Sequence, residues 1–529
     1  MPDGKPSRRP FHWALEFPEV FQEGGFDAVC GNPPFSGGQH LTGTLGTAYR
    51  DFMVNHIANG TKGSADLVAY FYLNVYDLLK HGGVFGLIAC NTIAEGDTRQ
   101  VGLERLLQQD ATIIAANPNM PWPGKAAVVI SPVFIAKNIK WHGKYYLNDT
   151  EVETISAFLS AQEEWSPKVL EANSGQSFIG SYVLGMGFTM SEEEAKAFIA
   201  KDPKNAEVLF PYLNGDDLNS DPEQKPSRWI INFFDWPLDR DADGSWSTAD
   251  ERKRKAFLSS GHVPADYPSR VAADFPDLLD IVREKVKPER EKQNRECRKK
   301  FWWHFAEKTA SLYHAIGRGA SFAKHPEGWT DKSLRRILAI TLHTKYFQPR
   351  FVNNDCVSSH ALAIFSRVDY ASYCILVSSI MQEWVWKYGS SIGTGLRFTP
   401  SDCYETFPFP ANIPQTMTQM GELYDRIGSE IMSRNNIGLT NLYNSFHNPE
   451  NKDSKLEELR QLQKQIDEAV RDAYGWNDID LEHGFHAVSY LPDNDNIRYT
   501  ISEPARIEIL RRLAQLNRQR WQEEQEAKK

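Results

Sequence analysis

FDAVCGNPPF, residues 26–35, carries an apolar run (Phe26, Ala28, Val29, Cys30) that stops at Gly31 and passes into two consecutive prolines. An apolar run bounded by such residues predicts a buried strand leading into a rigid loop. In that loop Asn32 offers a side-chain carbonyl and an amide, Pro33 keeps the preceding carbonyl out of helical pairing, and Phe35 adds an aromatic face. The combination suits a flat, amine-bearing base. Taken alone, the four residues also fit a proline turn that closes a core strand.

Working outward, FHWALEFPEVF (residues 11–21) alternates apolar positions and reads as an edge segment leading into the strand. Downstream, a Gly/Thr-rich tract at 36–47 reads as mobile, and DLVAYFYLNVYDLLK (66–80) has apolar residues at helical spacing. That helix is expected to stop at His81-Gly82-Gly83, before VFGLIACN (84–91), a fully buried strand. Strand, helix and strand make a parallel crossover. A helix at 98–109, the strand TIIAAN, the turn PWPGK and the strand AAVVISPVFIAK extend the series to about residue 145. Repeated crossovers predict a doubly wound α/β sheet.

The order NPPF, helix with Phe71, Gly82-Gly83 turn, VFGLIACN and PWPGKAAVVISPVFIAK resembles the second half of a class I S-adenosylmethionine-dependent DNA adenine-N6 methyltransferase. The resemblance implies a role for each site residue. Asn32 and Pro33 would hold the adenine amine, with Pro34 completing the motif; Phe35 would stack on one face of the base and Trp122 would lie near the other. Phe71 and Asp66 would serve the cofactor, Phe71 against its adenine. Read singly, Trp122 and Phe71 fit core aromatics equally well. Two acceptors on the amine hydrogens would raise electron density on a nitrogen whose lone pair is otherwise delocalised, so no covalent intermediate is needed. A cytosine-C5 enzyme would need a thiolate beside a proline; Cys30 lies on the strand and reads as buried packing. The target base must leave the duplex to reach such a cup.

The family also binds S-adenosylmethionine through a strand that ends in a glycine-rich turn. Only 31 residues precede Asn32, without such a turn, and the downstream candidates Gly185 to Gly187 and Gly393 to Gly395 lack the full pattern. The expected fold is therefore α/β: a partial Rossmann-like methyltransferase sheet whose N-terminal cofactor-binding half is absent. An α+β target-recognition domain and a helical C-terminal region come after it. The chain reads as a fragment or one piece of a split enzyme, whose partners are double-stranded DNA and a complementary methyltransferase half or defence-system subunits.

Composition sets the limits. At 529 residues, two or three domains are expected. No run approaches the ~18 apolar residues of a membrane helix, and no apolar segment follows the charged N-terminus, so the cytoplasm is the expected compartment. The six cysteines (30, 90, 297, 356, 374, 403) form no CxxC pair, which argues against zinc or a disulfide framework and for reduced core thiols. A net charge of −10 leaves room for local basic patches.

Residues 146–410, aromatic and proline-rich, resemble the target-recognition region of type IIG restriction-modification enzymes and of BREX or DISARM phage-defence adenine methyltransferases. Between Arg283 and Lys300 nine Lys/Arg face four Glu, and Phe301, Trp302 and Trp303 follow. Arg290, Arg295, Arg298, Lys299 and Lys300 are candidate phosphate contacts and the aromatics candidate wedges; a solvated helix face beside core aromatics fits as well. Pro276-Asp277 with Glu284-Lys285 lacks the spacing of a nuclease site and reads as helix. Residues 411–529 read as a helical tail, its last two helices antiparallel, with Gly475 and Pro504 as stop and start signals. A DNA-specificity subunit with a vestigial catalytic loop and an RNA or protein-glutamine methylating relative remain the alternative readings.

Overall fold

The computed structural model describes residues 11–61, 65–122, 129–137, 141–161, 166–307, 309–319, 335–392, 395–488, 490–491 and 495–528. The chain divides into two compact units, residues 1–166 with 388–394, and residues 167–387 with 395–529. Neither division falls at the expected boundaries 145/146 and 410/411. The tail lies in the same unit as the region before it.

In the first unit the segment expected as an edge segment or lead-in to the strand is helical: α1 (Trp13–Glu16) and α2 (Pro18–Gln22). Pro18 opens α2, where a missing N–H is tolerated. The alternating aromatics serve a cluster instead, with Trp13, Phe17 and Phe21 meeting Phe26 at centroid distances of 5.6–5.7 Å. Gly25, at φ 122°, passes close to the start of the strand Leu79–Cys90; a Cβ there would lie 2.8 Å from Lys80 N. β1 (Phe26–Gly31) follows. The Gly/Thr-rich tract expected as mobile forms α3 (Gly38–Leu45), because Leu41 and Leu45, one turn apart, both face the core. After α4 (Thr47–Phe52), α5 (Leu67–Leu78) begins at its N-cap Asp66.

α5 passes directly into β2 (Leu79–Cys90), so the expected stop at residues 81–83 lies inside the strand. There Gly82 N–H donates to Lys137 O and Gly83 O accepts from Lys137 N–H. β1 pairs parallel with β2, completing the strand–helix–strand crossover. α6 (Gly96–Arg99) and α7 (Arg105–Gln108), joined by a π-turn at Gln100–Glu104, occupy the expected second helix.

β3 (Thr112–Ala116), β4 (Met120–Pro121), β5 (Val129–Ala136), β6 (Tyr145–Leu147) and β7 (Thr150–Val152) complete a sheet of order β1-β2-β5-β3-β6-β7, with β4 on β5. β5 runs antiparallel between β2 and β3, so the crossovers do not repeat as expected. β4, within the link between β3 and β5, pairs antiparallel with β5, so the chain returns through a hairpin and not through a crossover helix. Tyr72, Phe85, Val133 and Ile135 are buried in the core, where the Tyr72 hydroxyl donates to Leu87 O at 3.0 Å.

The second unit holds two four-stranded sheets. One orders Val357–Ser358, Leu209–Leu213, Arg228–Ile231 and Thr189–Met190; the other orders Arg350–Asn353, Arg336–Thr341, Leu362–Phe365 and Ser177–Ile179. Helices Tyr370–Val377, Ser379–Tyr388, Thr416–Asn435, Ser454–Ala473 and Glu503–Ala527 run through the rest. Gly475, at φ 74°, follows the end of Ser454–Ala473, and Pro504 opens the last helix. The tail is not wholly helical: Gly484–Ala487 and Ile497–Thr500 pair as an antiparallel ribbon between those two helices. The whole is a mixed α/β chain of several sheets and many helices. No described helix is long and apolar enough to cross a membrane.

Candidate active site

The loop after β1 leaves the carboxyl end of a parallel strand, where open α/β sheets expose ligand sites. Gly31 is in register with Leu87 of β2, which fixes the loop's entry. Pro33 is buried and Phe35 packs on the core of the first unit, while Asn32 and Pro34 are exposed. The Asn32 side chain makes no hydrogen bond to any described residue.

The loop's exit is fixed as firmly. Ser36 N–H donates to Asp66 Oδ1 at 3.1 Å, and Leu67 N–H donates to Ser36 O at 2.9 Å. Asp66 Oδ1 also caps α5 by accepting from Val68 N–H at 3.0 Å, and Asp66 N–H donates to Thr98 Oγ1 at 3.1 Å. Asp66 and Thr98 are both buried. Ser36 and Thr98 escaped sequence reading, although an Asp directly before a helical apolar run is itself a capping signal.

Trp122, half-buried, follows β4, whose Met120 pairs with Ile130 of β5; Ile130 also pairs with Cys90 at the end of β2. Trp122 and Asn32 therefore leave the same end of the sheet, with β2 and β5 between their strands. Pro123, Gly124 and Lys125 of the PWPGK turn lie outside the described residues. Phe71, on α5, is 36% exposed. At this end of the sheet burial pushes the Cys90 thiol up to about 11, and the nearby Asp66 carboxylate adds to the shift, so Cys90 is held as a thiol. Cys30, expected as buried packing, is exposed on β1, and Cys297 is exposed as well.

β1 stands at an edge of its sheet and is paired, among the described residues, to β2 alone. Phe11, Trp13 and Leu15 in the segment before it are exposed at 56%, 44% and 77%. For S-adenosylmethionine, the methyl donor that the resemblance implies, the described residues supply one suited contact, the Phe71 ring. Asp66 Oδ1 is already committed within the chain. The Gly185 to Gly187 turn is filled by neighbouring structure: a Cβ on Gly187 would lie 2.9 Å from Val286 Cγ2. Gly393 and Thr394 of the other candidate lie outside the described residues. What is present fits one side of a donor site only.

The candidate DNA contacts differ in exposure: Arg295 and Lys300 are exposed, whereas Arg290 is not. Arg290 is buried at 1% exposure, donating through Nη2 to Val183 O at 2.7 Å and His304 O at 3.1 Å, and burial pulls its guanidinium down to about 10. Arg295 and Arg298 share Glu307, Lys299 pairs with Glu296, and Lys300 sits over the Phe301 ring. Trp302 and Trp303 are core residues rather than wedges, the Trp303 Nε1–H donating to Trp236 O at 2.9 Å. The nuclease-like segment is the helix Pro276–Lys285.

Residues 3–115 match the model of the Eco57I restriction-modification methylase family. Over these residues the chain is similar to a restriction-modification methylase. The expected likeness to a restriction-modification methyltransferase is borne out over residues 3–115. Among solved structures, the chain is similar to the type IIL restriction-modification enzyme MmeI, solved in complex with DNA, at a TM-score of 0.60 and 16% identity. The match covers 93% of this chain and 57% of MmeI. The type IIG endonuclease BpuSI (TM-score 0.27, 11% identity, 86% of this chain and 55% of that one) also matches. So does the type ISP enzyme LlaBIII bound to DNA (TM-score 0.37, 10% identity, 80% and 31%). The chain thus spans little more than half the length of MmeI. No curated protein matches.

Proposed function

We propose that this chain is the target-base and DNA-reading part of a site-specific DNA methyltransferase that modifies the N6 amine of adenine in restriction-modification or phage defence. The observation that carries the reading is an exposed Asn32 in an NPPF loop held at both ends, within a domain that matches a restriction-modification methylase. When bound, S-adenosylmethionine would supply the methyl group. The Asn32 side-chain oxygen and a backbone carbonyl beside Pro33 would accept the two amine hydrogens and localise the nitrogen lone pair for attack. Phe35 and Trp122 would hold the flipped base between aromatic faces, offsetting an unstacking cost of a few kcal/mol. Double-stranded DNA is the proposed partner, read by the second unit.

The open edge of β1 and the exposed aromatics before it support a further part of the proposal. The strands that hold most of the donor would continue the sheet beyond β1, on sequence outside this chain or on a partner. Unpaired edges of parallel sheets are rarely left to solvent.

Asn32→Ala tests the reading. In the assembled enzyme it should lower adenine methylation by ~10²-fold or more, the range for removing one positioned hydrogen-bonding group that stabilises developing charge at the reacting atom, with DNA binding kept. Methylation at the wild-type rate would refute the assignment.

A further inference from the structure

We propose that Asp66 is a positioning residue of the base-binding loop and that its carboxylate does not bind the methyl donor. The inference rests on the proposed role of Asn32 and deepens it. Between Gly31, locked opposite Leu87, and Ser36, the loop spans four residues. Its exit is set by one oxygen: Asp66 Oδ1 receives both Ser36 N–H, at 3.1 Å, and the capping Val68 N–H, at 3.0 Å. The loop exit and the first turn of α5 therefore share an acceptor and move together. The Leu67 N–H to Ser36 O bond adds a second tie in the opposite sense, so the two segments cannot slide past one another without losing both.

Asp66 is itself held from behind, its N–H on Thr98 Oγ1 at the start of the next helical segment. At 7% exposure the carboxylate is largely withdrawn from solvent, and the positive end of the α5 dipole adds to its hold on the two amides. Asn32 has no such support of its own. Its acceptor can meet a flipped amine reproducibly only if the backbone on either side is fixed, and β1 supplies one side and Asp66 the other.

An amide in place of the carboxylate keeps an oxygen for both N–H groups, whereas alanine keeps none. In the full enzyme, Asp66→Ala should lower kcat by ~10²-fold, the scale of a 1 Å misplacement, with KM for S-adenosylmethionine within ~3-fold of wild type. Asp66→Asn should recover kcat to within ~5-fold, because the geometry is restored without the charge. Hydrogen exchange on this chain gives a readout independent of chemistry: protection of the peptide that holds the Ser36 amide should fall in Asp66→Ala and survive in Asp66→Asn. A tenfold or larger rise in donor KM in Asp66→Asn with kcat kept would overturn the proposal, since the carboxylate would then be a donor ligand. Unchanged Ser36 protection in Asp66→Ala would overturn it as well. Wild-type methylation by Asn32→Ala would instead sink the reading of the site, and the exchange result would still decide what Asp66 does for the loop.

Discussion

Asp467 and His483 face each other at 2.6 Å, with both side chains fully shielded from solvent. Asp467 also accepts from Ser379 N–H and Oγ–H, each at 2.7 Å, and from Gln463 Nε2 at 3.1 Å. One carboxylate thus ties the start of helix Ser379–Tyr388 to helix Ser454–Ala473 and to the segment leading into the ribbon. Asp467→Ala removes every acceptor at once and should destabilise the second unit by about 3–5 kcal/mol, the cost of breaking a buried pair. Urea unfolding followed by tryptophan fluorescence measures it. A loss below about 1 kcal/mol would mean that the buried donors find other partners.

Arg460 is a second internal brace. Its buried guanidinium donates to the carbonyls of Phe446, Ser445, Asn448 and Asn451 at 2.8–3.1 Å, and to Glu457 at 2.6 Å. An ammonium cannot reproduce that fan of donors. Arg460→Lys keeps the charge yet should cost about 2–3 kcal/mol in the same unfolding assay.

Stability should depend on pH through two buried groups of opposite sign. Burial holds His447 well below the usual imidazole value, with Arg498, Lys345, Arg460 and His483 adding to the depression, and its Nδ1 accepts from Tyr499 N–H. The unfolded chain therefore takes up this proton first, and the contribution of neutral His447 is lost as pH falls below about 6.5. A thermal melting series from pH 7.5 to 5 should show the decline, and His447→Gln should flatten it.

Glu383 works the other way. Burial pushes its carboxyl up to about 7, against the favourable Arg506 charge, while its Oε2 lies 2.9 Å from the Tyr490 hydroxyl. Folding then retains a proton that the unfolded chain releases, so stability is lost as pH rises from about 4.5 towards 7. Glu383→Gln should remove that loss and stabilise the protein at pH 8 by up to about 3 kcal/mol. A melting temperature equal to or below wild type at pH 8 would show that folding does not raise the Glu383 carboxyl.

The basic stretch calls for two experiments, because its residues sit in different surroundings. Neutralising Arg295, Lys299 and Lys300 together should reduce the slope of log K against log salt for DNA by ~0.9 for each phosphate no longer neutralised, without regard to DNA sequence. Arg290→Gln should instead lower the melting temperature, since it strips the Val183 and His304 carbonyls of their buried donor.

Donor binding tests the open edge of β1. With Phe71 as the suited contact present, this chain alone should show no calorimetric binding of S-adenosylmethionine at micromolar concentration. Tight stoichiometric binding would reveal a site elsewhere in the chain.

Sequence by itself determined the features that depend on neighbours a few residues away. The strand β1 and its exit into the NPPF loop follow from an apolar run ended by Gly31 and the prolines, but the burial expected of β1 does not, because it stands at the edge of its sheet. The α5 crossover follows from helical spacing behind Asp66, and the last helix starts where Pro504 marks it. Such features depend on local sterics and hydrogen bonds, which a short window contains. Tertiary structure alone decided the rest. Arg290 and Trp303 look like a DNA-facing cation and wedge in the chain, yet one is spent on carbonyls 107 and 14 residues away and the other on a carbonyl 67 residues away. β5 takes an antiparallel place between β2 and β3, pairing with residues that lie up to about fifty positions away and so outside any local pattern. Asp66 illustrates the division: its position before a helix is legible locally, but its grip on Ser36 spans 30 residues and exists only once the sheet has brought the loop to the helix end.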